Sequence, residues 1–147
     1  MEQTRKYLKL SSIVVLILAG VFMLQVVSEL LYGEFKNAAI PDGAPDNILL
    51  ITRISLFLVA LLLTLPSIYI GIKGLRVAKK PDASKAHIVW AVILLVFVSL
   101  SLIEPVVSFV NDGFKRDNIS AFLSTAVEAS VIFEYIKYAV ALRKTTL

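Results

Sequence analysis

Four ionisable side chains interrupt runs that are otherwise apolar: Glu29 in "FMLQVVSELL", Arg53 in "LLITRISLFL", Glu104 in "VSLSLIEPVVSF" and Glu128 in "LSTAVEASVIF". A charge deep in hydrocarbon costs about 2.5–3.5 kcal/mol on insertion scales, so such groups turn toward one another, a cavity or an ion pathway. A guanidinium stays charged and holds a carboxylate through two hydrogen bonds. Arg53 is therefore expected to face the interior and pair with Glu104 or Glu128. Three acids against one base leave negative charge over, which suits a proton or a small cationic ligand.

Helical spacing gives these residues company, because positions three or four apart share a face. Phe97, Ser101, Glu104 and Ser108 form one stripe. Arg53, Phe57, Ala60, Thr64, Ser67, Gly71 and Gly74 form a second, rich in the small residues that let helices approach closely in lipid. Ser124, Thr125, Glu128, Tyr135 and Tyr138 lie on one side of a third, and Phe22, Gln25 and Glu29 on a fourth. Glu29 falls near the outer boundary of its run. Arg53, Glu104 and Glu128 fall roughly five to eight residues in, about 8–12 Å at 1.5 Å per residue. The expected site is an acidic cavity in the outer half of a bundle. It combines Gln25, Glu29, Arg53 and Ser101 with Glu104, Ser108, Ser124 and Glu128. The alternative is a purely structural polar network. Pro105 removes a backbone N–H beside Glu104 and is expected to loosen that helix, freeing carbonyls for a proton donor or cation.

The elements that must carry these stripes follow from length and charge. Four segments, roughly residues 7–32, 48–72, 86–110 and 120–142, are nearly free of charge over the ~20 residues needed to cross a bilayer. At 58% hydrophobic and 18% charged, the 147-residue chain lies outside the soluble range of about 45–50% and 25%. The first segment is too long for the roughly 7–15-residue apolar region of a signal peptide and reads as an anchor. The expectation is an all-α integral membrane protein: one domain, residues 1–147, a four-transmembrane-helix bundle with antiparallel up-down neighbours.

Basic residues set the orientation. Arg5, Lys6 and Lys9 precede the first span, Lys73, Arg76, Lys79, Lys80 and Lys85 fill the middle loop, and Arg143 and Lys144 follow the last span. The other two loops hold Lys36, Lys115 and Arg116 against Glu34, Asp42, Asp46, Asp112 and Asp117. The positive-inside rule places both termini and the middle loop in the cytoplasm, consistent with a bacterial plasma membrane. Lys73, Arg76, Lys79, Lys80 and Lys85 are candidates for anionic lipid head groups; the alternative is a topology signal alone. "AIPDGAPDN", with Pro41, Gly43 and Pro45, reads as an outer turn, and Asp or Asn in the two "DNI" triplets as helix caps. Asp82 or Ser84 is expected to cap the third helix after Pro81 stops the second, and Pro66 to kink the second span. Glu134 and Lys137, three apart, are expected to pair along their own helix.

Several chemistries find no residues. There is no cysteine, and the single histidine, His87, has no companion ligand for a transition metal. No phosphate-cradling glycine loop and no nucleophile elbow occur, so no cofactor, no metal and no catalytic set is assigned. The formal charge of +4 belongs to a membrane surface and not to nucleic acid. The function expected is a binding or accessory subunit, with no enzymatic activity assigned, whose partners are membrane lipid, a second copy or another membrane protein, and a small cationic ligand. The alternative is a proton- or cation-coupled transporter or channel component using Glu104 and Glu128.

Overall fold

The computed structural model describes residues 1–32, 45–82 and 84–146. Pro41 and Gly43 of the expected turn, with Glu34, Lys36 and Asp42, lie outside the described residues. Five helices and no strand occur among the described residues: α1 (Glu2–Tyr32), α2 (Asp46–Lys79), α3 (Ala86–Ser101), α4 (Ile103–Asp112) and α5 (Arg116–Lys144). Together α3 and α4 make one 27-residue span, Ala86–Asp112, and four spans in all are long and apolar enough to cross a membrane.

Leucine, isoleucine and valine fill these helices, and their apolar side chains cover most of the outer surface. Leu24, Leu31, Ile51, Leu62 and Phe97 are each at least 60% exposed. A water-soluble bundle would turn such residues inward. Here the inward faces combine small and polar residues with a narrower set of aliphatic ones, Ile70, Val77, Leu94 and Val98 among them. The buried residues of α2 include Ala60, Thr64, Ser67, Gly71 and Gly74, spaced 4, 3, 4, 3.

Two glycines bring α1 against α2. A Cβ on Gly71 would stand 2.5 Å from Cγ of Leu16, and one on Gly74 would collide with Oγ of Ser12 and stand 2.5 Å from the Tyr135 ring. Further along, the Thr64 hydroxyl lies 3.3 Å from Sδ of Met23. Residues 12, 16 and 23 thus meet 74, 71 and 64, so the two helices run in opposite directions. Helix α5 closes the bundle. Tyr138 stacks on Tyr7 of α1 at 5.1 Å, and Tyr135 meets the edge of His87 of α3 at 6.2 Å. Around the bundle, α1 packs on α2 and α5, and α3 packs on the same two.

The core is lopsided. Leu8, Ser12, Ile70, His87, Ile132, Tyr135 and Leu142 are the largest fully buried side chains among the described residues. All lie toward the end where the two chain termini and the α2–α3 connection meet. Toward the opposite, hairpin end, α4 keeps extensive contact only with α5 and α3. The third span breaks where Pro105 predicts. Leu102 is a turn residue, and its N–H donates to the Ser99 carbonyl at 3.2 Å, three residues back. The proline has no N–H to offer Ser101 and its ring crowds that carbonyl, so the helix restarts at Ile103. Helix α2, in contrast, is continuous through Pro66.

The ends correct three expectations. Lys85 stands at the N-cap of α3, with no side-chain cap. Asp82 instead accepts from Nζ of Lys73 at 2.8 Å and from the Ser84 backbone N–H at 3.1 Å. Pro45 and Lys115 stand at the N-caps of α2 and α5, which places Asp46 and Asp117 in the first turns. There a carboxylate still complements the helix dipole. The Lys137–Glu134 pair forms as expected, at 3.2 Å.

Two measurements test this packing. Gly74→Ala forces a methyl against the fully buried Tyr135 ring and should cost about 1–3 kcal/mol, as overpacking does; Gly20→Ala, with nothing within 4 Å, should leave the melting temperature in detergent unchanged or raised. The Lys73 ammonium holds the Asp82 carboxyl below its ordinary range, with the Ser84 N–H assisting. A depressed folded pKa contributes stability above the unfolded value of about 3.9 and loses it as pH falls through the folded value. Asp82→Asn should therefore flatten the acid limb of the melting temperature between pH 5 and pH 3, on the order of those values.

Candidate functional site

All four spans wall one cavity of about 460 Å³. Helix α1 supplies Phe22 and Gln25, α2 supplies Thr64 and Ser67, α3 supplies Val98 and Ser101, and α5 supplies Ser124, Thr125 and Glu128. The volume falls within the ~300–1,000 Å³ of small-molecule sites. Glu128 is the sole ionisable residue in its lining. The cavity sits where the tight packing of the termini end gives way to the looser hairpin end.

Helical phase explains each position. On α5, Glu128 and Tyr135 are seven apart and share the inward face. Tyr135 plugs the closed end, and Glu128 meets the cavity two turns away. On α3 the buried face is His87, Ala91, Leu94 and Val98, and Ser101 extends it by three residues to the cavity wall. On α2, Ser67 and Thr64 lie one and two turns beyond Gly71, on the same buried face.

Of the cavity hydroxyls, that of Ser67 makes no hydrogen bond among the described residues, and the other four are committed as donors. Thr64 donates to the Ala60 carbonyl at 2.6 Å, Ser101 to Phe97 at 3.1 Å, Ser124 to Ala121 at 3.0 Å and Thr125 to Ala121 at 2.9 Å. Each therefore offers the cavity lone pairs only. The break at Leu102 adds backbone acceptors. The Ser101 carbonyl lacks a donor from Pro105, and the Val98 carbonyl lacks the Leu102 N–H, which goes to Ser99. Both residues border the cavity. Glu128 has no hydrogen-bond or ion-pair partner among the described residues. One carboxylate in a lining where acceptors outnumber the free donors of Ser67 and Gln25 favours a positively charged or proton-donating guest.

Of the eight residues that the sequence proposed, Gln25, Ser101, Ser124 and Glu128 line this cavity. Glu29 is tied to its rim, since Nε2 of Gln25 donates to Oε1 of Glu29 at 3.1 Å. Arg53, Glu104 and Ser108 lie elsewhere. The α2 wall begins at Leu63, ten residues beyond Arg53 and so about 15 Å away along the helix. The ion pair expected of Arg53 does not form: no carboxylate of a described residue lies within 4.0 Å of it. Glu104 is exposed while its neighbour Pro105 is buried, because the inward face of this span passes through Val98 and Pro105. The stripe of Phe97, Glu104 and Ser108 runs one position off that face.

Among the head-group candidates, Arg76, Lys79, Lys80 and Lys85 are exposed, but Lys73 is held by Asp82. The spacing argument left out Thr64, Ser67 and Thr125, which line the cavity. The signal was present, since Thr64 and Ser67 belong to the small-residue stripe and Thr125 stands three before Glu128. No group of metal ligands occurs among the described residues.

No protein-family model matches the chain, and neither a curated protein nor a solved structure matches it.

The absence of native cysteine makes single-cysteine labelling clean. Ser101→Cys and Thr125→Cys should react with a small membrane-permeant thiol reagent, whereas Ser12→Cys, at a fully buried position, should not; mass spectrometry of the intact protein reads the adduct.

Proposed function

We propose that the chain is a small integral membrane binding protein, an accessory subunit that holds a lipophilic organic cation against Glu128 between its four spans. Its termini and the α2–α3 connection face the cytoplasm, as the basic residues at that end favour, and the membrane is a bacterial plasma membrane. The observation that carries this reading is the cavity walled by all four helices, with one carboxylate unpartnered among the described residues and four hydroxyls that already donate to their own helices, among apolar walls. Apolar surface takes the body of the ligand, and the carboxylate takes its charge. Phe22 and Phe97 add aromatic faces to the lining, which suit an alkylated ammonium. The short connections leave the membrane-embedded part as the place where ligand, lipid or a partner membrane protein meets this chain.

A second reading draws on the helix break. A span interrupted at Leu102 beside a carboxylate is the arrangement by which transporters expose backbone carbonyls to a coupling ion. In that case Glu128 exchanges a proton or monovalent cation during transport. Glu104, two residues past the break, lies outside the cavity and serves at most as a relay toward the hairpin end.

Binding of a fluorescent lipophilic cation to the purified protein tests the first reading. A charge-assisted hydrogen bond is worth about 1.5–3 kcal/mol, so Glu128→Gln should weaken binding about tenfold or more, while Glu104→Gln leaves it unchanged. Equal affinity of Glu128→Gln and the native protein refutes the assignment. Proton or cation flux in liposomes that disappears with Glu128→Gln selects the second reading over the first.

A further inference from the structure

Ser67 departs from the other hydroxyls of the cavity. Serine and threonine inside a helix commonly donate to the carbonyl three or four residues back, as Thr64, Ser101, Ser124 and Thr125 do here. The Ser67 hydroxyl makes no hydrogen bond among the described residues and takes neither the Leu63 nor the Thr64 carbonyl behind it. The residue is 7% exposed and lines the cavity. Its oxygen is not among the sealed, unpartnered atoms of the interior, so the space it opens on is the cavity. Gln25 also keeps a free N–H, since Oε1 of Glu29 takes one of its two, but Gln25 is exposed at the rim. Ser67 is the free donor held inside.

Its place along α2 sets what it faces. Helices α2 and α5 both run from the hairpin end toward the termini end, and they touch where the Tyr135 ring covers Gly74. Ser67 stands seven residues before Gly74, and Glu128 stands seven before Tyr135. Seven residues bring a helix back to within about 20° of its starting direction, about 10 Å along its axis. Ser67 therefore points toward α5 as Gly74 does, Glu128 points toward α2 as Tyr135 does, and the two share one level. At Gly74 a tyrosine ring fills the space between the helices. At Ser67 a short hydroxymethyl group and a carboxylate oppose each other across the cavity without bonding. A buried donor without an acceptor is costly, and the carboxylate opposite needs a positive charge. A guest that satisfies both carries a cationic nitrogen and, apart from it, an acceptor oxygen.

We infer that the ligand class of this cavity is a protonated organic amine that also bears an ether or carbonyl oxygen, with the ammonium at Glu128 and the oxygen accepting from the Ser67 hydroxyl. The inference rests on the reading of the cavity as a cation site and adds the neutral polar group that the ligand must carry. Ser67 is then the residue that selects among lipophilic cations.

The test is competition against the fluorescent cation by N,N-dimethyloctylamine, protonated at neutral pH, and by three analogues in which an ether oxygen replaces the third, fourth or fifth carbon of the chain. For each protein the affinity of each ether amine is divided by that of the alkyl amine, which cancels partition into detergent. For at least one analogue this ratio should be about two- to tenfold higher on the native protein than on Ser67→Ala, the worth of one neutral hydrogen bond. The alkyl amine should bind Ser67→Ala at least as tightly as the native protein, a result that loss of fold would not give. Ser130→Ala, at an exposed position whose hydroxyl donates to the Ala126 carbonyl, should keep the native ratios. Equal ratios on the native protein and Ser67→Ala for all three analogues overturn the inference, and binding that still depends on Glu128 then leaves the cation site standing. Affinity indifferent to Glu128→Gln removes both.

Discussion

Close approach of α1 and α5 to the backbone of α2 at Gly74 is the constraint from which the rest of the bundle follows. Without a Cβ there, Ser12 and the Tyr135 ring both reach the α2 surface. Tyr135 is then completely buried, and its ring gives an edge contact to His87, which fixes where α3 begins against α5. In lipid the apolar exterior gains nothing by turning inward, so helices associate through such close contacts and interhelical polar groups. The buried serines fit this logic. Ser11 and Ser12 satisfy their hydroxyls on the Leu8 carbonyl and remain small enough to let α2 approach.

The same constraint produces the cavity. A bundle pinned tightly at one end does not stay tight over the length of helices this long unless small residues continue on every face. On α2 they continue as far as Ala60 and then give way to Phe57 and Arg53, which are only half-buried. On the third span Pro105 breaks the helix, and the outer piece α4 stays with α5 and α3. The interior widens between these two events. Thr64, Ser101 and Glu128 stand at that level, and the polar residues occupy space that the packing leaves free.

Much of this was legible in the sequence because it depends on local periodicity. The four apolar segments, the 4, 3, 4, 3 stripe of α2, the effect of Pro105 and the Glu134–Lys137 pair all follow from spacing along a single helix. What spacing cannot supply is the phase and axial offset of one helix against another. Arg53 and Glu128 were placed at one depth by counting from the ends of the apolar runs, yet α2 begins at Asp46 and meets α1 in a register set by Gly71 and Gly74. That register puts Thr64 opposite Met23 at the level of the cavity and leaves Arg53 farther toward the hairpin end. Glu104 failed for a different reason. Its stripe was read as inward because it was polar, whereas the buried stripe of that span is the apolar one through Ala91, Leu94 and Val98. His87 is the second residue of α3, beside a basic connection, and its contact with Tyr135 of α5 explains a burial that spacing along its own helix does not.

The three charged groups left outside the cavity fit the energetics of position. Insertion cost falls steeply from the bilayer centre to its surface, and Glu29, Arg53 and Glu104 all lie toward the hairpin end of their spans. Long side chains there can extend to head groups and water, so none requires the ion pair that a midplane position would demand. Glu128 differs. It faces inward, two turns from Tyr135 and the sealed end, with hydroxyls around it that donate to their own backbones. A charge in that position gains nothing from the bilayer surface and little from its neighbours. Glu128 has no partner among the described residues, and the cation proposed for the cavity would supply the counter-charge that the surrounding helices do not.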